Sequence, residues 1–413
     1  MPVYTERLEI TGHVIDSMLF TRILDQVRSA MADYVIEQFT VGRTQADPSY
    51  ARLLIKADDP AQLEELVQSL MGLGMTRVGV EAAEARLVPA EMDGVLPDGF
   101  YSSTNLETEV RVGGRWLRVE NPEMDCAIVV KDGHARTVPM CDVRKGDPVV
   151  VGSQGLRVEP RDRGRQGEVF EFMSSQVSSE KPQGLIVRKV AAAMRATKER
   201  GEKILWVAGP AVVHTGAAPA MTRLIEAGYV DVLFAGNALA THDIEGALYG
   251  TSLGVNLAEG IGVEHGHEHH IRALNTIRRC GSIAKAVEQG VLTSGIMHAC
   301  VLHGVDYVLG GSVRDDGPLP DTVTDVIEAQ RQMRSLLPGV GYAIMVATML
   351  HSIATGNLLP ASVPLVCVDI NPATVTKLAD RGSTQATGVV TDVGLFLGQL
   401  ADELAPAPAR ARP

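Results

Sequence analysis

The chain has no Gly-x-Gly-x-x-Gly anywhere in its 413 residues. The ordinary dinucleotide fingerprint is therefore excluded. It has only five cysteines, Cys126, Cys141, Cys280, Cys300 and Cys367, odd in number and without a Cys-x-x-Cys pair. That excludes a disulfide scaffold and fits a reducing compartment. Aromatic residues are 4% of the total. Net charge is −12 with no long basic run, which argues against nucleic acid and against an anionic membrane surface as partners. The longest apolar stretch, Tyr342 to Leu350, is nine residues, far short of the roughly 20 a spanning helix needs. The N-terminal Met-Pro-Val-Tyr-Thr-Glu-Arg lacks an apolar signal core. The expectation is a cytoplasmic protein.

What the chain does have is glycine, 41 of them, with 45% hydrophobic residues. Small aliphatic residues and close backbones suit parallel α/β packing. Three units and a tail are predicted. Residues 1–84 read as a small ferredoxin-like α+β domain. Strands are expected from Arg7 to Ile15, Tyr34 to Val41, Ala51 to Ala57 and Val78 to Glu81, with helices from Ser17 to Ala32 and Pro60 to Leu73. Residues 85–182 alternate short β-prone pieces with turns such as Gly113-Gly114 and Lys131-Asp132-Gly133, a small β domain of barrel or sandwich type. Residues 183–402 alternate strands (Lys203 to Ala208, Val230 to Ala235, Val305 to Leu309, Leu365 to Ile370) with helices. This pattern predicts a doubly wound parallel sheet. Residues 403–413, rich in Ala and Pro, read as a disordered tail.

Chemistry concentrates after those strands. Gly310 to Asp321, with Arg314, Asp315 and Asp316 inside it, follows an apolar strand, the usual place for a ligand site in such a sheet. The plain alternative is a solvated Asp-Gly-Pro turn. Asp369 ends the strand Leu365 to Ile370, where a dinucleotide's ribose is usually gripped, although Asp369 or Asn371 also suits a helix cap. A second strand-to-acid step reaches Asp392. Glycine turns at Gly209, at Gly236-Asn237 and at Gly310-Gly311 offer backbone N–H groups for a pyrophosphate, and Asn237 suits an amide or ribose. The polar strip before Pro182 is either a linker or a substrate-facing loop in which Lys181 binds a carboxylate. The run Glu264-His265-Gly266-His267-Glu268-His269-His270 is not a His-Glu-x-x-His zinc motif. It reads as a polar helix start, with His265 a candidate general base and no metal expected. Gly341 to Ser352 reads as a buried helix whose polar end, at His351, faces the same ligand.

The runs FEFMSSQVSSEKP, FAGNALATHDIEG, GSIAKAVEQG, GGSVRDDGPLPD, MVATMLHS and VCVDINP resemble the LOR/SDH bifunctional enzyme conserved region family. The likeness covers about residues 5 to 400. That family includes archaeal-type NAD-dependent ornithine cyclodeaminases and the C-terminal part of cyanobacterial arginine-guanidine-removing enzymes. The resemblance implies an NAD-binding domain related to the deoxyhypusine-synthase fold, which explains the missing glycine fingerprint. It implies NAD contacts from Asn237, Ala238, Asp316, Thr348, Met349, Leu350, His351, Asp369, Asp392 and Val393.

The implied reaction turns L-ornithine into L-proline and ammonia by hydride removal from the α-carbon, ring closure by the δ-amine and hydride return. NAD is then needed only catalytically. Such chemistry asks for a cation at the α-carboxylate (Arg314 or Lys181), an acid at the distal ammonium (Asp315 or Asp316) and a base, either a histidine from His265 to His270 or a carboxylate. A homodimer or homotetramer is expected. The rivals are another NAD-dependent amino-acid or amine oxidoreductase or transferase, or a non-catalytic NAD-sensing regulator.

Overall fold

The computed structural model describes residues 4–12, 14, 19–42, 47–71, 73–78, 83–159, 183–256, 266–315, 317–380 and 386–406. Lys181, His265 and Asp316 lie outside them, as do the whole FEFMSSQVSSEKP run and the end of the tail. The chain folds into two compact units. One is Met1–Glu171 with Asn357–Ser362; the other is Phe172–Gly356 with Val363–Pro413.

The first unit opens with β1 (Tyr4–Gly12), α1 (Leu19–Ser29), β2 (Asp33–Thr40), β3 (Ser49–Ala57), α2 (Pro60–Met71) and β4 (Thr76–Arg77). The sheet order is β2-β3-β1-β4, with β1 antiparallel to both its neighbours. This is the ferredoxin-like arrangement the pattern predicted. Strict alternation along β3 turns Ala51, Leu53, Ile55 and Ala57 inward. Ile23 and Val27 of α1 and Leu63, Leu66, Val67 and Leu70 of α2 join the same core. A short strand lies at Thr76–Arg77; the expected strand Val78 to Glu81 falls, beyond Val78, outside the described residues. An open groove of about 450 Å³ between α1 and α2, lined by Gln26, Met31, Gln62 and Glu65, holds none of the residues singled out above.

Seven short strands follow: β5 (Arg86–Pro89), β6 (Thr108–Val112), β7 (Arg115–Glu120), β8 (Ala127–Lys131), β9 (His134–Val138), β10 (Pro148–Val151) and β11 (Leu156–Val158). They pair in the order β11-β6-β7-β9-β8-β10-β5. Two hairpins turn on residue pairs with positive φ, Gly113-Gly114 (60° and 75°) and Asp132-Gly133 (53° and 81°). That is the turn whose twist matches paired strands.

The second unit begins with α3 (Gln183–Glu199), β12 (Lys203–Ala208), α4 (Ala211–His214), α5 (Ala218–Glu226), β13 (Val232–Gly236) and α6 (Asn237–Tyr249). A small hairpin, β14 (Thr251–Ser252) and β15 (Val255–Asn256), precedes α7 (His269–Cys280), α8 (Ile283–Glu288) and α9 (Ile296–Leu302). Then come β16 (Asp306–Gly310), β17 (Thr322–Val323), α10 (Val326–Leu336), β18 (Val340–Val346) and α11 (Leu350–Leu358). The chain ends through β19 (Leu365–Asp369), α12 (Pro372–Asp380), β20 (Ala386–Val390) and α13 (Val393–Leu404). The sheet order is β17-β16-β13-β12-β18-β19-β20, parallel throughout. The doubly wound sheet is as predicted.

One expectation is corrected. Gly341 to Ser352 is not one helix. Its first half is strand β18, in the middle of the sheet, and α11 starts only at Leu350. Tyr342 to Val346 are buried on both faces of the sheet. A strand covered on both sides shows no alternation, so its apolar run cannot be told from a buried helix by pattern. At the other end of the unit, α13 reaches Leu404. Arg223 holds this end, donating to the carbonyls of Ala401 at 3.0 Å and Ala405 at 3.1 Å.

Candidate functional site: the carboxyl edge of the parallel sheet

Strand order reverses between β12 and β18. The chain builds outward from β12 through β13, β16 and β17, then returns to the other flank with β18, β19 and β20. Ligands of open α/β sheets bind at such a reversal, beyond the carboxyl ends of the strands. Here the loops after β12 and β18 meet: Gly209 N–H donates to the Val346 carbonyl at 2.9 Å. A Cβ on Gly209 would stand 1.9 Å from the Ala347 oxygen, so only glycine fits.

The described residues to which the resemblance assigns NAD contacts all fall along this edge. Asn237 and Ala238 follow β13; Thr348, Met349, Leu350 and His351 follow β18; Asp369 ends β19; Asp392 and Val393 follow β20. The edge fits a dinucleotide on three observations. Gly236 precedes α6 with no side-chain cap on its first amides. By contrast, Asp325 caps α10 through Ile327 and Glu328, and Asp392 caps α13 through Leu395. Free amides at a helix start favour phosphate. Next, Leu350 is 75% and Ile370 71% exposed, apolar surface of the kind that ring systems cover. Finally, Asn371 Oδ1 accepts from Ala373 N–H at 3.0 Å and so starts α12. The Asp369 carboxylate accepts at Oδ1 from Asn371 N–H at 2.8 Å.

His351 sits over the tips of two strands. A Cβ on Gly236 would lie 3.4 Å from His351 Cε1, and one on Gly310 3.6 Å from Nε2. The two glycines make room for the ring. Burial holds its pKa below the ordinary histidine value, so the imidazole is neutral near pH 7.

The Gly310 to Asp321 segment is braced. Asn237 is almost wholly buried, and its Oδ1 accepts from Leu319 N–H at 3.0 Å and Thr322 Oγ1 at 3.1 Å. Its Nδ2 donates to Asp315 Oδ1 at 3.2 Å. Ser312 N–H reaches the other Asp315 oxygen at 2.8 Å. Arg278 donates to the Pro318 carbonyl at 2.9 Å, and Asp321 accepts from Ile283 N–H at 2.9 Å. The Asn237 side chain thus braces the loop. Arg314 is exposed beside this brace with no partner for its guanidinium among the described residues. Among those residues no three His, Cys, Asp or Glu side chains are placed to hold a metal ion. No helix among them is long and apolar enough to cross a membrane.

Three family matches tile the chain. Residues 5–106 match the LOR/SDH bifunctional enzyme conserved region. Residues 107–187 match the first region, and 188–400 the Rossmann-fold region, of the ArgZ-like arginine dihydrolase C-terminal part. An ornithine cyclodeaminase of Methanothermobacter thermautotrophicus is 54% identical over 97% of this chain and 98% of its own. This chain belongs to the ornithine cyclodeaminase family. A second such relative, from Methanocaldococcus jannaschii, is 50% identical over 97% of the chain and 96% of its own length.

Among solved structures, a LOR/SDH protein of Methanococcus maripaludis matches with TM-score 0.74 and 52% identity, over 78% of this chain and 98% of its own. ArgZ, a cyanobacterial arginine dihydrolase, matches with TM-score 0.85 and 38% identity, over 97% of this chain and 58% of its own. AgrE, solved with ornithine and NAD+, matches with TM-score 0.53 and 43% identity, over 97% of this chain and 57% of its own. The likeness to a deoxyhypusine synthase, TM-score 0.37 at 11% identity, is too distant to carry an argument.

Sequence reasoning missed one group of side chains altogether. His242 Nδ1 lies 2.8 Å from Glu245 Oε2, and Glu245 is fully buried. In sequence, Thr-His-Asp-Ile-Glu reads as a polar helical stretch. Only the hairpin β14–β15 and α7 closing over α6 bury it.

Proposed function

We propose that this chain is an NAD-dependent ornithine cyclodeaminase, converting L-ornithine to L-proline and ammonia. One observation carries the reading. The described residues expected to touch NAD line one continuous edge of a parallel sheet, across its point of strand reversal, in a chain over half identical to a full-length ornithine cyclodeaminase.

The backbone amides at the start of α6 hold the pyrophosphate, and Asp369 accepts the ribose hydroxyls. When bound, NAD supplies a hydride acceptor and then a hydride donor. The guanidinium of Arg314 pairs with the substrate's α-carboxylate. Asp315 and Asp316 lie at the same loop, with Asp315 locked by Asn237 and Ser312 so that its carboxylate faces a fixed direction. Lys181 and His265 are further candidates for carboxylate binding and proton transfer. His351, its pKa lowered by burial, stands close against the two strand tips at the cofactor edge.

The protein works in the cytoplasm as a homodimer or homotetramer. Edge strand β2 supports assembly, since Val35, Ile36 and Phe39 are each about two-fifths exposed there. Sedimentation at micromolar concentration reads the oligomeric state.

The test is incubation of the purified chain with L-ornithine and a trace of NAD. Equal amounts of ammonia and L-proline, with no net NADH, are expected. Release of neither product overturns the reading.

A further inference from the structure

The cofactor edge leaves one cluster of titratable groups unused. Ala238, His242, Glu245 and Tyr249 share one stripe of α6, spaced i, i+4, i+7 and i+11. Ala238 is exposed at the mouth of the site. His242 stands one turn behind it, roughly 6 Å along the axis. Burial deepens along the stripe: the His242 side chain is 12% exposed and that of Glu245 0%. In the other direction His214, at the end of α4 and just past the tip of β12, is exposed. Its ring meets His242 at 4.8 Å between centroids, inclined by 62°.

Glu245 is well anchored. Its Oε1 accepts from Thr251 Oγ1 at 2.9 Å and Gly254 N–H at 3.1 Å, and its Oε2 from Leu253 N–H at 3.2 Å as well as from His242. Burial alone would raise its pKa. The bonds from His242, Gly254 and Thr251 outweigh that, and the net shift is downward. An ionised carboxylate against Nδ1 fixes the proton on that nitrogen and leaves Nε2 of His242 as the free acceptor. Partial desolvation of its inner ring face and the neighbouring His242 hold His214 below the ordinary histidine pKa, and its Nδ1 lies 2.7 Å from Ser252 Oγ. The other groups facing the pair come from the far side. His270 stands 6.4 Å from His242 ring to ring. His269 is bonded to Thr251 Oγ1 at 2.8 Å and stacked on Tyr249 at 4.9 Å.

A purely structural acceptor for Thr251 and two loop amides would need no charge; a glutamine would serve. A fully buried carboxylate is costly unless a proton-carrying partner faces it.

We infer that His242 is the proton acceptor for the substrate's amines, with Glu245 as its positioning residue and His214 as the route to solvent. This rests on the ornithine cyclodeaminase reading. Ornithine enters with both amines protonated. Loss of one proton from the α-ammonium to Nε2 of His242 frees the pair that forms the C=N bond as the α-hydrogen leaves with its electrons. Loss of one proton from the δ-ammonium, through the same pair of rings, frees the amine that closes the ring. Both protons end on the products, one on ammonia and one on the proline nitrogen. Two protons are moved, and two touching imidazoles stand ready.

The test uses the full chain. Conversion of ornithine to proline by the wild type decides the underlying reading by itself. In that active protein, His242→Gln is expected to lower kcat by about a hundredfold or more, with NAD affinity by calorimetry unchanged within about twofold. Glu245→Gln is expected to lower kcat by about tenfold or more while KM stays within about twofold, because a neutral amide no longer fixes the proton on Nδ1 of His242. His214→Ala, at an exposed position, is expected to fold normally, lose about tenfold in kcat and regain activity with added imidazole. A folded His242→Gln variant with wild-type kcat overturns the inference. So does a His214→Ala variant that imidazole does not rescue, whether or not Glu245→Gln folds.

Discussion

The side-chain oxygen of Asn237 accepts the backbone N–H of Leu319 at 3.0 Å, tying the start of α6 to a loop 82 residues further along. The same amide donates to Asp315. Asn237→Ala removes every one of these bonds and leaves the buried Leu319 amide without a partner, a loss of about 1–3 kcal/mol. Asn237→Asp keeps the acceptor but sets a carboxylate oxygen 3.2 Å from Asp315. Repulsion should make it the worse of the two at pH 7 and the milder at pH 4. Urea unfolding of both variants at the two pH values reads the crossover.

Gly209 and Gly398 should respond to alanine in opposite ways. At Gly209 the new Cβ meets the Ala347 oxygen at 1.9 Å. Backbone must move where the loops after β12 and β18 join, so Gly209→Ala should destabilise by several kcal/mol and weaken NAD binding with it. Gly398 lies inside α13 with nothing within 4 Å of its added Cβ. There alanine lowers the entropy of the unfolded chain and should stabilise by about 0.5–1 kcal/mol. Thermal unfolding of the pair is the measurement; a loss of stability in Gly398→Ala contradicts the argument.

These residues also show what a sequence reveals. The strand from Ala51 to Ala57, the Gly-Gly and Asp-Gly turns and the strand-to-acid step at Asp369 are local patterns, and the structure repeats them. Asn237 was legible as important, but its work as a brace depends on Leu319 and Thr322, which only tertiary folding brings near. Strand β18 was misread because a strand buried on both faces loses its period. The pair of His242 and Glu245 left no trace, since polar residues on a helix normally face water and nothing local announces the hairpin that covers them.

Asp243 gives the fold a pH dependence of known sign. Its carboxylate is buried and accepts Ile296 N–H and Met297 N–H at 2.8 Å each, capping α9 from a distance. Burial pushes its pKa up to about 6, against the pull of the two amides. The unfolded chain has the ordinary value, so the folded state binds the proton more tightly. This contribution is fully present below about pH 4 and is lost as pH rises through about 6, roughly 3 kcal/mol in all. Stability of the wild type minus that of Asp243→Asn should therefore fall across pH 4 to 6.5. A flat difference in urea unfolding across that window would show that Asp243 does not titrate there.

Asp369 and Asn371 stand two residues apart and should separate binding from stability. Asn371 starts α12 by accepting from Ala373 N–H, whereas Asp369 accepts from the Asn371 amide and stands at the tip of β19. Asp369→Ala removes the acceptor for the ribose hydroxyls. A charged acceptor of this kind is worth about 1.5–3 kcal/mol, so NAD should bind about ten- to a hundredfold more weakly while α12 keeps its cap. Asn371→Ala does the reverse: it costs about 1 kcal/mol of stability and leaves NAD affinity nearly as it was. Calorimetric titration with NAD and thermal unfolding, run on both variants, give a two-by-two result. If Asp369→Ala binds NAD as tightly as the wild type, the ribose is held elsewhere, and Asp369 serves only the turn into α12.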